Sequence, residues 1–376
     1  MKRRFGYVVV LCLFPAAVWL WGCSKTLYYA DVVDGSDSTS DTNTGTLNGD
    51  VDDEKRGICG ASSGQLFGSE YPWNQRVDEL PLDPESDDII DYLTALGDWP
   101  GLFEIAGANG AANESYGMPV LMAGNDTPEI PFVIREDSFW LPACDYVSIP
   151  LPAAGAVEGE VDYGCQHDGS CHLVILDRDD CLLYEMYRGA KMSDSFRGGC
   201  LALWDLLLPF ASSLRGDCCT SAEAAGLPIA PLTFSADEIA VGEIAHAIRF
   251  SIPTEYVRPG IFVRPATHTS VETYGSEFAP PRGARLRLKA TYSLPAVPAA
   301  ARIIVTALKK YGMILADPGH TTFVAEDERF TANTWAAVGL NSASLMSLKW
   351  SDFEVVDGGE RFQISGCRCE RDAIDE

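Results

Sequence analysis

The sequence contains few of the patterns that identify an enzyme class. It has no His-Glu-x-x-His zinc motif and no Gly-x-x-x-x-Gly-Lys loop that would cradle a phosphate. Histidine is scarce, with five in 376 residues, and no Cys-x2-Cys pair suggests a structural zinc site. These absences argue against zinc proteases and P-loop enzymes. A catalytic site must therefore be inferred from side chains that lie far apart in the sequence.

Basic residues are also few. The chain has 28 lysines and arginines against 54 aspartates and glutamates, so its formal net charge is −26. A protein with this charge repels nucleic acid and anionic lipid head groups, because both are polyanions. The composition therefore excludes nucleic acid as a partner.

Only one long apolar run occurs, from Phe5 to Trp21, and it follows three basic residues at positions 2–4. This order is typical of an export signal, and the ending Gly22-Cys23 resembles the lipobox of bacterial lipoproteins. The resemblance implies a signal peptide at 1–22 and a Cys23 that carries lipid, palmitate included, as an anchor in the membrane. With Ser24 after the cysteine, it also implies the outer membrane of a two-membrane bacterium. An uncleaved signal anchor is the alternative.

The next segment is rich in aspartate, serine, threonine and glycine. Residues 23–57 have too little apolar content to offset the cost of ordering, so we expect a lipidated N-terminus followed by a disordered acidic tether. No second low-complexity segment follows. We therefore expect residues 58–376 to form a single large disulfide-bonded β-rich domain.

Ten of the 12 cysteines remain once Cys12, in the signal, and Cys23 are set aside. An even number in an exported protein predicts structural disulfides, although the pairing does not follow from sequence. Six of them cluster between residues 165 and 219, which suggests that several bridges join one region. The candidates are Cys59, Cys144, Cys165, Cys171, Cys181, Cys200, Cys218, Cys219, Cys367 and Cys369.

Short segments rich in β-branched and aromatic residues, bounded by turn formers, dominate the domain and predict strands. They are PFVIRED (131–137), HLVILD (172–177), CLLYEMY (181–187), AIRFSI (247–252), GIFVRPA (260–266), RLRLKATYSL (285–294), GMILAD (312–317) and DFEVVD (352–357). In RLRLKATYSL the basic and apolar residues alternate, which indicates a half-exposed antiparallel strand. Helices are predicted at about 83–97 and 298–311.

Many short strands with few helices favour a mainly β fold, specifically an antiparallel β-sandwich of the jelly-roll or lectin-like kind with helical insertions. The motifs NQRVDELPLDPESDDIIDYL, HLVILDRDDCLLYEMYRG, TSAEAAGLPIAPL, GEIAHAIRF, RPATH and KKYGMILAD also resemble, in this order, a family of exported soil-bacterial proteins. The resemblance covers about residues 74–357. It implies a shared fold and carries no activity, cofactor or catalytic residue with it.

His172 and Glu185 are the first candidate catalytic residues. If HLVILD and CLLYEMY form a hairpin that turns at Asp177-Arg178-Asp179-Asp180, the two side chains lie directly opposite each other on one sheet face. A histidine oriented by a carboxylate is a usable acid–base unit. A solvent-facing cross-strand ion pair is the alternative.

Two further histidines extend this set. His246 shares a strand face with apolar residues, which favours a hydrogen-bonded core residue, but it could also join His172 and Glu185 in catalysis. His268 ends the RPATH motif. If His172, His246 and His268 converge, they could hold zinc or another divalent ion.

Three hypotheses for the function follow from these observations. The first is a lipid-anchored module that binds polysaccharide or another cell-surface ligand, and it rests on the predicted fold, the export signal and the supply of tryptophan. The second is a polysaccharide hydrolase or lyase that uses the histidine and glutamate set. The third is an envelope scaffold without a small-molecule site. Fold alone does not decide between them.

Overall fold

The computed structural model describes residues 58–97, 104–106, 117–166, 170–293, 298–319 and 322–374. The chain divides into two units, 1–49 and 50–376, and every described residue belongs to the second. The predicted signal peptide, Cys23 and the predicted tether lie outside the described residues, as do His167 and His320. Within the described residues, no helix is both long and apolar enough to cross a membrane.

Strands are the main regular structure of the described residues, and this confirms the prediction of a mainly β fold. The α-helices are α1 (Ser86–Ala95), α2 (Ala236–Val241), α3 (Ala299–Lys310) and α4 (Trp335–Val338). The strands are β1 (Glu104–Ala106), β2 (Leu121–Ala123), β3 (Glu129–Ile130), β4 (Phe132–Ile134), β5 (Ile149–Pro150), β6 (Leu173–Asp177), β7 (Leu182–Met186), β8 (Ala190–Lys191), β9 (Phe196–Gly198), β10 (Leu201–Asp205), β11 (Ile248–Ile252), β12 (Ile261–Val263), β13 (Arg285–Leu288), β14 (Met313–Pro318), β15 (Thr322–Val324), β16 (Phe353–Val356) and β17 (Arg361–Gln363). Each of the eight predicted strand segments overlaps one of these strands.

The largest sheet has six strands in the order β1-β15-β11-β14-β13-β16. The pairs β1/β15 and β11/β14 are parallel and the other pairs are antiparallel. The sheet is therefore mixed, whereas the sequence pattern predicted antiparallel pairing. Parallel neighbours need a long connection, and a pattern read along one segment cannot show which distant segment lies beside it.

The four helices contribute to one core on a single face of this sheet. Ile89 and Leu93 of α1 and Ile304 and Leu308 of α3 are fully or almost fully buried there. Both helices occur where the sequence predicted them. Helix α1 begins after Pro84 and has acidic residues in its first turn, which suits the positive end of the helix dipole.

A second sheet, with the order β10-β7-β6-β2, faces the six-stranded sheet. Alternate residues of β14, Ile314 and Ala316, share a core with Val174 and Leu176 of β6. The opposite face of the four-stranded sheet packs on a third core, which is covered by the β3/β5 pair and the three-stranded sheet β4-β9-β8. The molecule is thus layered, and the space between the two larger sheets holds the second core and the site described below.

Strand β13 differs from its prediction as a half-exposed strand. It lies between β14 and β16, and Arg285 is buried. The Arg285 guanidinium donates hydrogen bonds to the carbonyl oxygens of Tyr311, Pro72 and Gln75, and burial lowers its pKa to about 9. The basic face is covered because the chain at 72–80 supplies carbonyl acceptors, which the alternation in sequence does not reveal.

All ten candidate cysteines form disulfides, which confirms that prediction and indicates an oxidising, exported environment. Every bridge has at least one cysteine in the 165–219 cluster, as expected, but only Cys165–Cys171 lies wholly within it. The others close loops of 56 to 150 residues. The pairs are Cys59–Cys181, Cys144–Cys200, Cys165–Cys171, Cys218–Cys367 and Cys219–Cys369.

Candidate functional site

The predicted direct pairing of His172 with Glu185 is wrong. Strands β6 and β7 pair so that Glu185 lies opposite Val174, while His172 precedes β6 and its ring lies 5.6 Å from that of Tyr187. The hairpin turns one residue later than expected, because the Asp177 side chain accepts hydrogen bonds from the backbone N–H groups at 179 and 180 and so begins the turn. His172 and Glu185 share a sheet face but are displaced along it.

Glu185 is fully buried and its carboxylate accepts three hydrogen bonds. One oxygen accepts hydrogen bonds from the backbone N–H groups of Ile229 and Ala230 at 2.7 and 2.8 Å. The other accepts from Trp204 Nε1 at 3.1 Å. Burial raises the pKa of Glu185 to about 7, against the lowering effect of these donors. Glu185 therefore holds the start of the short 3-10 helix Ala230–Leu232 against the sheet. Its buried carboxylate is not accessible to a substrate.

His246 is also buried, and each of its ring nitrogens faces an oxygen atom. Its Nε2 lies 3.0 Å from Glu238 and its Nδ1 lies 2.8 Å from the carbonyl oxygen of Ala247. Burial alone would lower the pKa of His246, but the charge of Glu238 and the hydrogen bond to it raise the pKa above its ordinary value. Both ring nitrogens therefore donate to oxygen atoms, and neither has a lone pair for a metal.

The ring of His172 is held in the same way, with an oxygen atom close to each ring nitrogen. Its Nδ1 lies 2.6 Å from Glu158, and its Nε2 lies 3.1 Å from the carbonyl oxygen of Ala222 and 3.9 Å from Asp317. Burial would lower the pKa of His172, but the charge of Glu158, the hydrogen bond to it and the charge of Asp317 raise it. His172 is a buried cation between two carboxylates.

Arg249 of β11 contacts Asp317 and one further acid, Glu223. Its guanidinium lies 2.7 Å from Glu223 and 3.7 Å from Asp317 of β14. The backbone N–H of Ala224 donates to the other oxygen of Asp317 at 2.9 Å. Burial raises the pKa of Glu223 to about 8, and the charge of Arg249 opposes this rise. A charged network thus fills the space between the two sheets at their edge.

The loop Ser221–Gly226 holds the network together. The Ser221 hydroxyl accepts from the Glu223 N–H and donates to the carbonyl oxygen of Leu227. Gly226 has a φ of +74°, and a Cβ there would collide with the Thr267 hydroxyl and a backbone carbonyl. Glycine is therefore required at this turn, which lets successive loop residues contact His172, Arg249 and Asp317.

His268 contacts the same loop from the side. Its Nδ1 lies 2.8 Å from the carbonyl oxygen of Ala224, and the residue is partly exposed. Burial lowers the pKa of His268, and the nearby charge of Arg282 lowers it further. The ring is therefore neutral near pH 7, with Nδ1–H donating and a lone pair on Nε2. Of the three histidines predicted to bind metal, His268 alone keeps an acceptor nitrogen.

These residues form what we call the polar cluster. Its floor is buried, and three of its polar atoms, on Glu223, Arg249 and the adjacent Arg282, have no hydrogen-bond partner among the described residues. Its mouth is partly open: the side chains of Glu158 and Asp317 are 29% and 18% exposed. The polar cluster consists of Glu158, His172, Glu223, Arg249, His268 and Asp317.

The predicted sets are therefore not assembled. His172 and His268 bind the same loop, but Glu185 and His246 are each occupied elsewhere, and two of the three histidines lack a free nitrogen. In the part of the chain that the structure describes, three potential metal ligands meet at Glu160, Cys165 and Cys171, where the two cysteines are bonded to each other. That group cannot supply two thiolates, so it does not support a metal site.

Gly60-Ala61-Ser62-Ser63-Gly64 fits the Gly-x-Ser-x-Gly spacing of serine hydrolases. That motif requires a strand, a sharp turn and a helix, with the serine at the turn. Here the segment follows the short 3-10 turn Ile58–Gly60 and continues as an exposed turn. This segment lacks the strand, sharp turn and helix that position a catalytic serine. Only the spacing of its residues matches the motif.

Comparisons with known proteins add no assignment to this site. No family model matches the chain, and no match to it was found among the curated proteins or the solved structures. The interpretation of the polar cluster therefore rests on its geometry.

Proposed function

We propose that the protein is an exported, disulfide-stabilised envelope domain that binds polysaccharide at the mouth of the polar cluster. The observation that carries this proposal is the arrangement of Glu158, Asp317 and His268 at a partly open mouth above the buried Arg249–Glu223 pair. Sugar hydroxyls both donate and accept hydrogen bonds. The two carboxylates and the free Nε2 of His268 offer acceptors, each held in place by a further hydrogen bond.

The lipid anchor at Cys23, with palmitate, and the outer-membrane location belong to the same proposal, as does the classification of the two facing sheets as a lectin-like β-sandwich. The disulfides support export, and the shared core between the sheets supports a sandwich. The anchor is tested by the variant Cys23→Ala. We expect it to lose labelling by palmitate and to leave the membrane fraction, and unchanged fractionation would contradict the anchor.

The binding proposal is tested with the full chain, purified in a mild detergent, against a panel of polysaccharides in affinity electrophoresis and calorimetry. We expect Asp317→Asn and His268→Ala to weaken binding about tenfold or more, which corresponds to ~1.4 kcal/mol. Asp91→Asn, an exposed aspartate on α1, is the matched control and should bind as the unaltered chain does. Equal affinity in all variants would contradict the proposal.

A second candidate function, a polysaccharide hydrolase or lyase, is favoured by one specific observation. His268 combines a lowered pKa with a free Nε2, and it shares Ala224 as a hydrogen-bond partner with Asp317. A neutral imidazole near a carboxylate can act as a general base. Mass spectrometry of the polysaccharide after incubation with the protein distinguishes an enzyme from a binding module. Cleavage products that are absent with the His268→Ala variant support an enzyme, whereas binding without any cleavage product supports a binding module.

A further inference from the structure

A second site lies away from the polar cluster, on the small sheet formed by β4, β9 and β8. A surface cleft of about 520 Å³ opens there, which is within the range of about 300–1,000 Å³ typical of small-molecule sites. Strands β4 and β9 are parallel neighbours, and Val133 lies opposite Arg197. The two side chains therefore share the open face of the sheet.

The floor of this cleft is apolar and exposed. Val133 is 42% exposed and Met192, which follows β8, is 49% exposed. Exposed methionine and valine side chains next to each other offer a surface on which the apolar face of a ring can pack, and methionine adapts its shape to different partners.

The rim of the cleft carries arginine. Arg197 is exposed, and its guanidinium has no ion pair or hydrogen bond with another described residue. Arg135 faces Asp137 at 3.6 Å, beyond hydrogen-bond distance. Asp137 is itself bound by Arg188 at 3.2 Å, so its charge is already compensated. Glu136 is the remaining acid of the lining, and the arginines outnumber the uncompensated acids.

This balance is unusual in a chain with a net charge of −26. The guanidinium of Arg197 has no carboxylate partner among the described residues, so it is available to an anionic ligand. Guanidinium groups bind carboxylates through two parallel hydrogen bonds, and partial burial beside an apolar floor strengthens such a pair. The cleft therefore combines a carboxylate-binding rim with a surface for a sugar ring.

We propose that the cleft at Val133, Arg135, Met192 and Arg197 binds uronic acid residues of an acidic polysaccharide. The carboxylate lies between Arg135 and Arg197, and the apolar face of the sugar ring packs on Val133 and Met192. The inference extends the proposed function by naming an acidic ligand, and it places the contact with the ligand's charge outside the polar cluster.

The test is calorimetry of the full chain with a galacturonate oligosaccharide and with the same oligosaccharide after chemical reduction of its carboxylates. We expect the acidic form to bind at least tenfold more tightly, and added salt to weaken it. Arg197→Ala, alone or with Arg135→Ala, should remove this preference. Arg197 is exposed, so the melting temperature of Arg197→Ala should be unchanged. Arg135 is 23% exposed, so the double variant is interpreted only where its melting temperature matches that of the unaltered chain. Arg178→Ala, an exposed arginine at the β6–β7 turn, is the matched control.

The outcomes separate this inference from the proposed function. Equal affinity for the acidic and reduced forms, or unchanged binding in Arg197→Ala, overturns the inference. If Asp317→Asn weakens binding while Arg197→Ala does not, the polar cluster is the ligand site and the cleft is not. If Arg197→Ala weakens binding while Asp317→Asn does not, the cleft binds uronate and the polar cluster is not the ligand site.

Discussion

Two histidine–glutamate pairs in this protein have the same kinds of hydrogen-bond partner and different surroundings. His172 meets Glu158 at 2.6 Å and His246 meets Glu238 at 3.0 Å, and in both rings the second nitrogen faces a backbone carbonyl. Beyond the pair, the two sites differ. The second oxygen of Glu238 accepts a hydrogen bond from the Ser235 backbone N–H in the capping box of α2. The His246–Glu238 pair therefore contacts a helix N-terminus.

The His172 pair continues into a network. Asp317 lies 3.9 Å from Nε2 of His172, and the Arg249 guanidinium lies between Asp317 and Glu223. The carboxylate of Glu158 is 29% exposed, against 15% for Glu238. A histidine beside a carboxylate is therefore not by itself a sign of function. The charged groups around the pair and their access to solvent distinguish a candidate site from a buried structural contact.

The largest expected effect comes from removing the most buried partner of the Arg249 guanidinium. Among the described residues, Glu223→Ala leaves this buried cation with only Asp317 at 3.7 Å, and leaving a buried charge uncompensated costs about 3–5 kcal/mol. Glu243→Ala, which removes the exposed partner of Lys310, is the control and should cost less than about 1 kcal/mol. Denaturant unfolding measures both. A loss below about 1 kcal/mol in Glu223→Ala would show that the pair is not sealed from water.

The pH dependence of stability tests whether both pairs are charged. The folded-state pKa values of His172 and His246 are raised, so their contribution is present below the unfolded pKa of about 6.5 and is lost as pH rises through the folded value. The raised pKa values of Glu185 and Glu223, about 7 and 8, act in the same direction, because the folded state resists their ionisation.

We therefore expect the free energy of unfolding to be larger at pH 5.5 than at pH 8.5 by several kcal/mol, and the raised pKa of the buried Glu326, about 8, adds to this trend. The lowered pKa of His268 opposes this trend between about pH 6.5 and its folded value, and the lowered pKa of Glu158 opposes it below about pH 4.5. Denaturant titrations at several pH values measure the slope. A stability that rises from pH 5.5 to pH 8.5 would contradict the assigned protonation states.

His172→Ala and His246→Ala sharpen the comparison between the pairs. Each removes two hydrogen bonds, so each should cost about 1–3 kcal/mol in denaturant unfolding. Only His172→Ala should also weaken polysaccharide binding, because only its partner carboxylates lie at an open mouth. If His246→Ala weakens binding equally while both variants stay folded, the distinction drawn here fails.

The smallest expected effect on stability belongs to Asp317→Asn. The amide oxygen of asparagine can still accept from the Ala224 N–H, so the loss should stay below about 1 kcal/mol in thermal melting. This makes Asp317→Asn the cleanest probe of function at the mouth. A cost of several kcal/mol would mean that the Arg249 contact at 3.7 Å is a strong ion pair.

Much of the local structure could be predicted from the sequence, and little of the site could. Strand segments and both long helices follow from periodicity and turn residues, which act over a few positions. The polar cluster contains only two residues singled out as candidates, His172 and His268. Arg249 within AIRFSI and Glu223 within SAEAAG carry a signal that was available, namely a charge inside a stretch of apolar or small residues.

The exported character, the even set of cysteines and the strand-rich fold follow from composition and short-range pattern, because each depends on residue type alone. The disulfide partners, the β6–β7 register, the cover over Arg285 and the separation of the two histidine pairs follow only from the tertiary structure. Four disulfides join cysteines 56 to 150 residues apart, and Pro72 and Gln75, which cover Arg285, lie 213 and 210 residues from it. The β6–β7 register depends instead on the turn that the Asp177 side chain forms. Burial and neighbouring charge then decide which histidine is cationic and which keeps a lone pair, and both are properties of the packed molecule.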